Sequence, residues 1–230
     1  MTSWKTATEI ALSSTPRPHR GGRLSPVGPH TVNQERFADP LQVAMLEVRF
    51  ISGNKFKIDE ASHILKDADV AVVPIAMKLE ELQTSDTNHL VKDKALKAYQ
   101  KIGRPLFVEH TGLYLAHLKG LPGGLTQIFW DSLEADRFSE LFGNTSDTSV
   151  VAKTVIGFVD GKRFHFFEGE IAGNIAASPR GDRSFQWDCV FIPDGYEGTF
   201  SEMGSEKNEI SMRKQALDKF ALFLKDSGKV

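Results

Sequence analysis

The sequence predicts an α/β protein built on a mixed β-sheet, and three observations lead there. Short apolar runs such as "LEVRFI", "VAVVPIAM" and "PLFVEHTGLYL" alternate with segments of helical period. Asp160-Gly161 lies between two β-rich arms, a hairpin signal that adds antiparallel strands to the alternating pattern. The chain has 230 residues, 40% of them hydrophobic, enough for one sizeable core or two small lobes.

Taken in order, residues 1–45 form an N-terminal extension. "SSTPRPHRGGRLSPVGPH" is rich in Pro, Gly, Arg and Ser and has little apolar periodicity, so it reads as linker or disorder. "WKTATEIALSS" before it reads as a solvated tail or a short amphipathic piece that contacts a partner. The folded body, residues 46–230, starts with the strand "LEVRFISGN". The helix "KFKIDEASHILKDA" follows, with Phe56, Ile58 or Asp59, His63 and Ile64 at three- and four-residue steps. "VAVVPIAM" is a second strand, and "HLVKDKALKAYQKIG" is a helix stopped by glycine. "PLFVEHTGLYLAHL" is a third strand region that delivers Glu109 and His110 to a turn at Thr111-Gly112. "EADRFSELFG" is another glycine-stopped helix, ahead of the hairpin. The closing helix carries Leu217, Phe220, Ala221 and Leu224 on one stripe.

Composition excludes several classes. The formal net charge of −2 provides no overall basic field for nucleic acid or an anionic membrane. The single cysteine, Cys189, cannot form an intrachain disulfide; it suits a reducing cytoplasm and reads as a small buried thiol. No apolar run approaches the roughly 20 residues of a membrane span, and the N-terminus lacks a signal-peptide pattern.

Several segments can carry chemistry. "FISGNKFK" places a glycine turn between strand and helix, where free N–H groups favour an anion within reach of Lys55 or Lys57. Glu80, Glu81 and Asp86 in "KLEELQTSD" offer hard oxygens suited to Mg²⁺, although such loops are more often simply solvated. The following helix carries Lys92, Lys94 and Lys97. Phe185 and Trp187 flank Gln186 and precede Asp188, giving stacking surface beside polar groups, as a nucleobase or an aromatic core requires. Lys207 and Arg213 lie near a helix start that Ser211 can cap.

Taken together, "SGNKFK", "ELQ", "KALKA", "VEHTGL", "LPGG", "PRG", "FQWDCVFIPDGYEGTFSEM" and "EKNEISMR" resemble the HAM1 family of inosine triphosphate pyrophosphatases, from about Val48 to Leu224. The resemblance implies an elongated mixed central β-sheet with two lobes and a cleft between them, commonly in a homodimer. It also implies hydrolysis of deaminated purine triphosphates (ITP, dITP, XTP) to the monophosphate and diphosphate with Mg²⁺. By the same resemblance, Ser52, Asn54 and Lys57 form the phosphate-contacting turn, Glu81 and Glu109 serve the metal, and Lys94 meets phosphate. Phe185, Trp187, Asp188, Lys207, Ser211 and Arg213 then form the base pocket, with Arg213 donating to the 6-oxo group.

The chain departs from the family pattern where catalysis is expected. His110 stands where the family carries an aspartate, Gln127 where a lysine often follows the "LPG" loop, and Met212 and Gln186 interrupt two further motifs. Imidazole is a poor ligand for Mg²⁺. Exchanging an anion for a neutral or cationic ring also removes repulsion against a triphosphate, about 1–4 kcal/mol for unit charges 4 Å apart at effective dielectrics of 80 to 20. The expectation is a binder of intact dITP or ITP with weak or absent hydrolysis, acting with an effector partner. Such degenerate members resemble the nucleotide sensor of Kongming-type antiphage systems. The alternatives are a working pyrophosphatase in which His110 is a general base of pKa near 6.5, a His110 that merely packs, and a structural subunit with a vestigial cleft.

Overall fold

A computed structural model describes residues 46–227. The predicted N-terminal extension, residues 1–45, lies outside the described residues. The elements in chain order are β1 (Leu46–Ile51), α1 (Lys55–Lys66), β2 (Val70–Ile75), α2 (Thr87–Ile102), β3 (Leu106–Leu115), β4 (Pro122–Gly123) and α3 (Thr126–Phe142). After them come β5 (Ser149–Val159), β6 (Phe164–Ile175), β7 (Phe191–Pro193), α4 (Phe200–Met203), α5 (Lys207–Ile210) and α6 (Met212–Asp226). The strands form one sheet of order β2-β1-β3-β5-β6-β7, with β4 paired to β3. β1 runs parallel to β2 and β3, and all other pairings are antiparallel, so the sheet is mixed. Pro74 is tolerated because β2 is an edge strand, where a missing N–H costs no ladder bond.

Local sequence sets the element ends. Asn54 caps α1 by accepting from Lys57 N at 3.2 Å, Asp86 caps α2 through His89 N, and Gly103 closes α2 in the left-handed conformation. Asp160 Oδ1 accepts from the backbone of Lys162 and Arg163, each at 2.8 Å, which fixes the predicted hairpin between β5 and β6.

Side chains alternate across the sheet. Phe50, Phe107 and Phe158 face α1 and α6 on one side, where Leu217, Phe220, Ala221 and Leu224 supply the predicted helical stripe. Leu106, Val108 and Val155 face α2 on the other. A third apolar cluster joins α3, β7 and Trp187 around the C-terminal half of β3.

Three expectations are corrected. Thr111 and Gly112 are not a turn: β3 continues to Leu115, paired with β5 throughout. Gly112 is required instead by close approach of β4, since a Cβ there would lie 2.5 Å from the Gly123 carbonyl oxygen. The buried stripe of α1 is Ala61 and Leu65, flanked by Ile58 and Ile64, whereas Phe56 is 57% exposed and His63 is also exposed. The helix expected from Glu134 begins at Thr126 and is interrupted at Glu134, at φ 53°. Its first turn has no side-chain cap, so the signal that marks a helix start is missing.

Helix α6 lies directly on β6 at Gly169, where a Cβ would overlap the Met212 carbonyl oxygen and crowd Ala216 N. Replacing Gly169 by alanine is therefore expected to lower stability by roughly 1–3 kcal/mol. A drop in the urea midpoint with unchanged slope would show this.

Candidate functional site

Strand alternation sends the neighbours Glu109 and His110 to opposite faces of the sheet. Glu109 follows Phe107 towards α1 and α6, and His110 follows Val108 towards α2. Both border a cleft of about 300 Å³. The turn before α1, the segment leading to α2, the first turn of α3 and the 3₁₀ turn Gln186–Cys189 complete its walls.

Glu109 is 4% exposed and carries its charge among three donors. Thr111 Oγ1 donates to Oε1 at 2.6 Å, Lys57 Nζ to Oε1 at 3.3 Å, and Arg213 Nε to Oε2 at 3.2 Å. Burial alone would raise its pKa, but Arg213, then Lys57, and these hydrogen bonds hold the carboxyl well below the usual range. Arg213 in turn donates to Glu60 Oε2 at 2.5 Å, and the two carboxylates outweigh the effect of burial to keep the guanidinium charged. Burial, aided by Arg213 and Lys94, lowers the Lys57 pKa although Glu109 opposes it.

On the other face, Lys94 Nζ donates to Glu81 at 2.5 Å, which overcomes desolvation and lowers the Glu81 pKa. His110 is 9% exposed, and its Nε2 is buried without a hydrogen-bond partner. Burial, then Lys57, lower its pKa to about 4, and Glu81 only partly opposes them. His110 is therefore a neutral imidazole at physiological pH. The expected value near 6.5 is corrected by burial among cations.

The cleft gathers Ser52, Asn54, Lys57, Glu81, Lys94, Glu109, His110, Phe185, Trp187 and Arg213. Three predicted residues act beside it. Ser211 caps α6 through Lys214 N and donates to Glu60 at 3.1 Å. Asp188 and Lys207 pair with each other, and burial raises the Asp188 pKa despite Lys207. The Lys207 ammonium also stands 4.3 Å above the Phe185 ring, whose edge contact with Phe56 is at 5.1 Å. A planar ligand ring stacking on that face of Phe185 must displace or slide beneath Lys207. Trp187 is chiefly core, packed against Phe191 and Phe200.

Sequence reasoning missed Thr111, Glu60 and a cross-cleft pair. Thr111 was findable, since i and i+2 share a strand face with Glu109. Glu60 lies three residues after Lys57 on the same helical face. Gln186, at φ 41°, donates to Gln127 in the first turn of α3, and Gln127 also donates to Asp131 at 2.6 Å. Nothing local couples residues 59 apart.

The residues fit an Mg²⁺ ion poorly. Mg²⁺ requires near-octahedral oxygen ligation, but both Glu109 oxygens are engaged, Glu81 is held by Lys94, and His110 offers a neutral nitrogen. Among the described residues no group of three or more His, Cys, Asp or Glu is placed to hold a metal ion. No helix among them is long and apolar enough to cross a membrane.

Fold and cleft define an α/β protein whose cation-lined pocket suits an anionic ligand beside an aromatic wall. Residues 48–223 match the Ham1 family, and the chain belongs to it. It is 37% identical over 183 residues to an inosine triphosphate pyrophosphatase of Yarrowia lipolytica, covering 78% of this chain and 96% of that protein. It is 31% identical over 183 residues to a dITP/XTP pyrophosphatase of Thermococcus kodakarensis, covering 79% and 99%. A HAM1 protein structure from Coxiella burnetii superposes with a TM-score of 0.68 at 27% identity, covering 79% of this chain and all of that one.

Replacing Glu109 by alanine leaves Lys57 without its buried carboxylate and Arg213 with Glu60 alone, so a loss of roughly 3 kcal/mol is expected. Because the folded carboxyl titrates below its unfolded value, the wild-type contribution is full above about pH 4.5 and fades as the pH falls. Chemical denaturation of wild type and variant at neutral and acid pH checks both: the stability gap narrows on acidification.

Proposed function

We propose that this protein binds deaminated purine nucleoside triphosphates, such as dITP, ITP and XTP, and holds them largely intact. The observation that carries this reading is His110: a neutral, buried imidazole in the wall of a cleft whose carboxylates are both held by cations. Lys57, Lys94 and the Ser52–Asn54 turn border the space for the phosphates, and Phe185 supplies a face for the base. Arg213 has five N–H donors, and hydrogen bonds to Glu60 and Glu109 use two of them. A 6-oxo purine can accept from a donor that remains. An adenine amino group there would oppose donor to donor, at a cost of roughly 1–3 kcal/mol.

Turnover needs an activated water and stabilisation of the charge that develops on the leaving diphosphate. With a pKa of about 4, His110 is a weak base at neutral pH. Mg²⁺ is the ion that the family resemblance implies, but the donor set fits it poorly. A binder that retains its ligand serves as a sensor. We therefore propose that this one works as a homodimer in the cytoplasm with an effector protein, by analogy with antiphage nucleotide sensors.

The second reading is a working pyrophosphatase of the nucleotide pool. It is favoured by the Yarrowia inosine triphosphate pyrophosphatase and the Thermococcus dITP/XTP pyrophosphatase, which align with this chain over nearly their whole length.

Incubation of the purified protein with dITP and Mg²⁺, with bound nucleotide and released diphosphate both followed, separates the two. Intact bound dITP is expected from wild type, and fast release of dIMP and diphosphate would establish the second reading. Replacing His110 by aspartate is expected to raise diphosphate release by roughly 10²–10⁴-fold, the usual worth of a positioned acid–base group.

A further inference from the structure

The two cleft carboxylates already hold cations of the chain itself, Glu109 through both oxygens and Glu81 through one. The Glu109 side chain is 1% exposed, Oε1 takes Lys57 and Thr111, and Oε2 takes Arg213. Glu81 takes Lys94 at 2.5 Å. The remaining buried donor that lacks a partner beside them, His110 Nε2, is a nitrogen, which a hard cation does not favour over oxygen.

Charge points the same way. Lys57, Lys78, Lys94 and Arg213 line the cleft against Glu81 and Glu109, so four positive and two negative groups leave a formal charge of +2. A divalent cation brought in with the ligand would meet Lys57 and Lys94 as like charges while halving the ligand's own attraction. A bare triphosphate meets the same lysines as counter-ions. Each ammonium has three donors, so Lys57 and Lys94 can meet the phosphates with those that Glu109 and Glu81 leave free.

We infer that the cleft takes its nucleoside triphosphate as the free polyanion, without a divalent metal ion. The inference rests on the proposed reading of the cleft as a triphosphate site and adds the form in which the ligand is bound. It also gives the site a regulator. Because most cellular triphosphate is metal-complexed, occupancy would rise when free Mg²⁺ falls and would report on both ligand and ion.

The test is calorimetric titration of the full chain with dITP, once with excess Mg²⁺ and once with EDTA in place of the metal. Affinity in EDTA is expected to equal or exceed that in Mg²⁺. A loss of about tenfold or more on chelation, equivalent to 1.4 kcal/mol, overturns the inference while leaving the nucleotide-binding reading intact. Absence of binding in both buffers overturns that reading and the inference with it. Replacing His110 by aspartate restores an oxygen donor and is expected to make binding weaker in EDTA than in Mg²⁺. Replacing it by asparagine keeps the site neutral and is expected to leave binding indifferent to the metal. If the asparagine variant becomes as metal-dependent as the aspartate variant, the account of His110 fails.

Discussion

Glu109 is a carboxylate in the middle of the sheet's third strand, with both oxygens out of water. The effective desolvation penalty for such a charge is several kcal/mol, and it is offset only if the lone pairs are met by well-placed donors. Those donors come from three places: Lys57 on the first turn of α1, Arg213 on the first turn of α6, and Thr111 two residues along the same strand. Two helices far apart in sequence must therefore start at positions set by one strand residue. The caps cooperate: Asn54 and Ser211 fix the helix starts that carry Lys57 and Arg213, and Ser211 also donates to Glu60, the second anion on Arg213. A buried ion network is weak evidence of net stability but strong evidence of position. Here the position it fixes is the wall of the cleft.

Because the strand period is two, the next residue inherits the opposite environment. His110 meets Glu81, Lys94 and the α2 side, where its ring is desolvated among cations and stays neutral. One dipeptide thus divides the cleft between an anion saturated by donors and an uncharged ring with an idle nitrogen. An aspartate at 110 would sit near Lys57 and Lys94 as a further counter-ion, and the formal charge of the lining would fall from +2 to +1. The substitution therefore changes the charge that an incoming triphosphate meets as well as the ligand set for a metal.

Much of this was legible in the sequence. The existence of β1, α1, β2, α2, the β5–β6 hairpin and α6 follows from local chemistry, because these segments carry their own period, cap, stop or turn signal. Ten of the residues given a site role in the sequence converge on one cleft. The losses have physical causes. Gly112 looks like a turn residue, but its role is to admit the β4 backbone, a contact with no local signature. The first half of α3 lacks a capping side chain. In α1 the large Phe56 drew the stripe to the wrong face, while the buried positions are small or aliphatic. The ordinary histidine pKa was misleading because it depends on burial and on lysines brought in by two other helices.

The same network joins the two ends of the cleft that the proposed function assigns to base and phosphates. Arg213 lines the cleft, yet its hydrogen bonds run to Glu60 on α1 and Glu109 on β3. Lys57 shares Glu109 with it and stands at the turn where phosphates are expected. A ligand that draws Lys57 towards phosphate loosens one donor on Glu109 and leaves that carboxylate more dependent on Arg213. A ligand that draws Arg213 towards the base does the reverse. Occupying both ends at once would strip Glu109 of two of its donors, a cost for a buried anion that only a ligand satisfying both cations could offset. Fragments such as inosine or triphosphate alone satisfy one cation each. In the proposed reading, the single carboxylate shared between the two ends thus couples them: a ligand group that takes one cation makes the other costlier to withdraw.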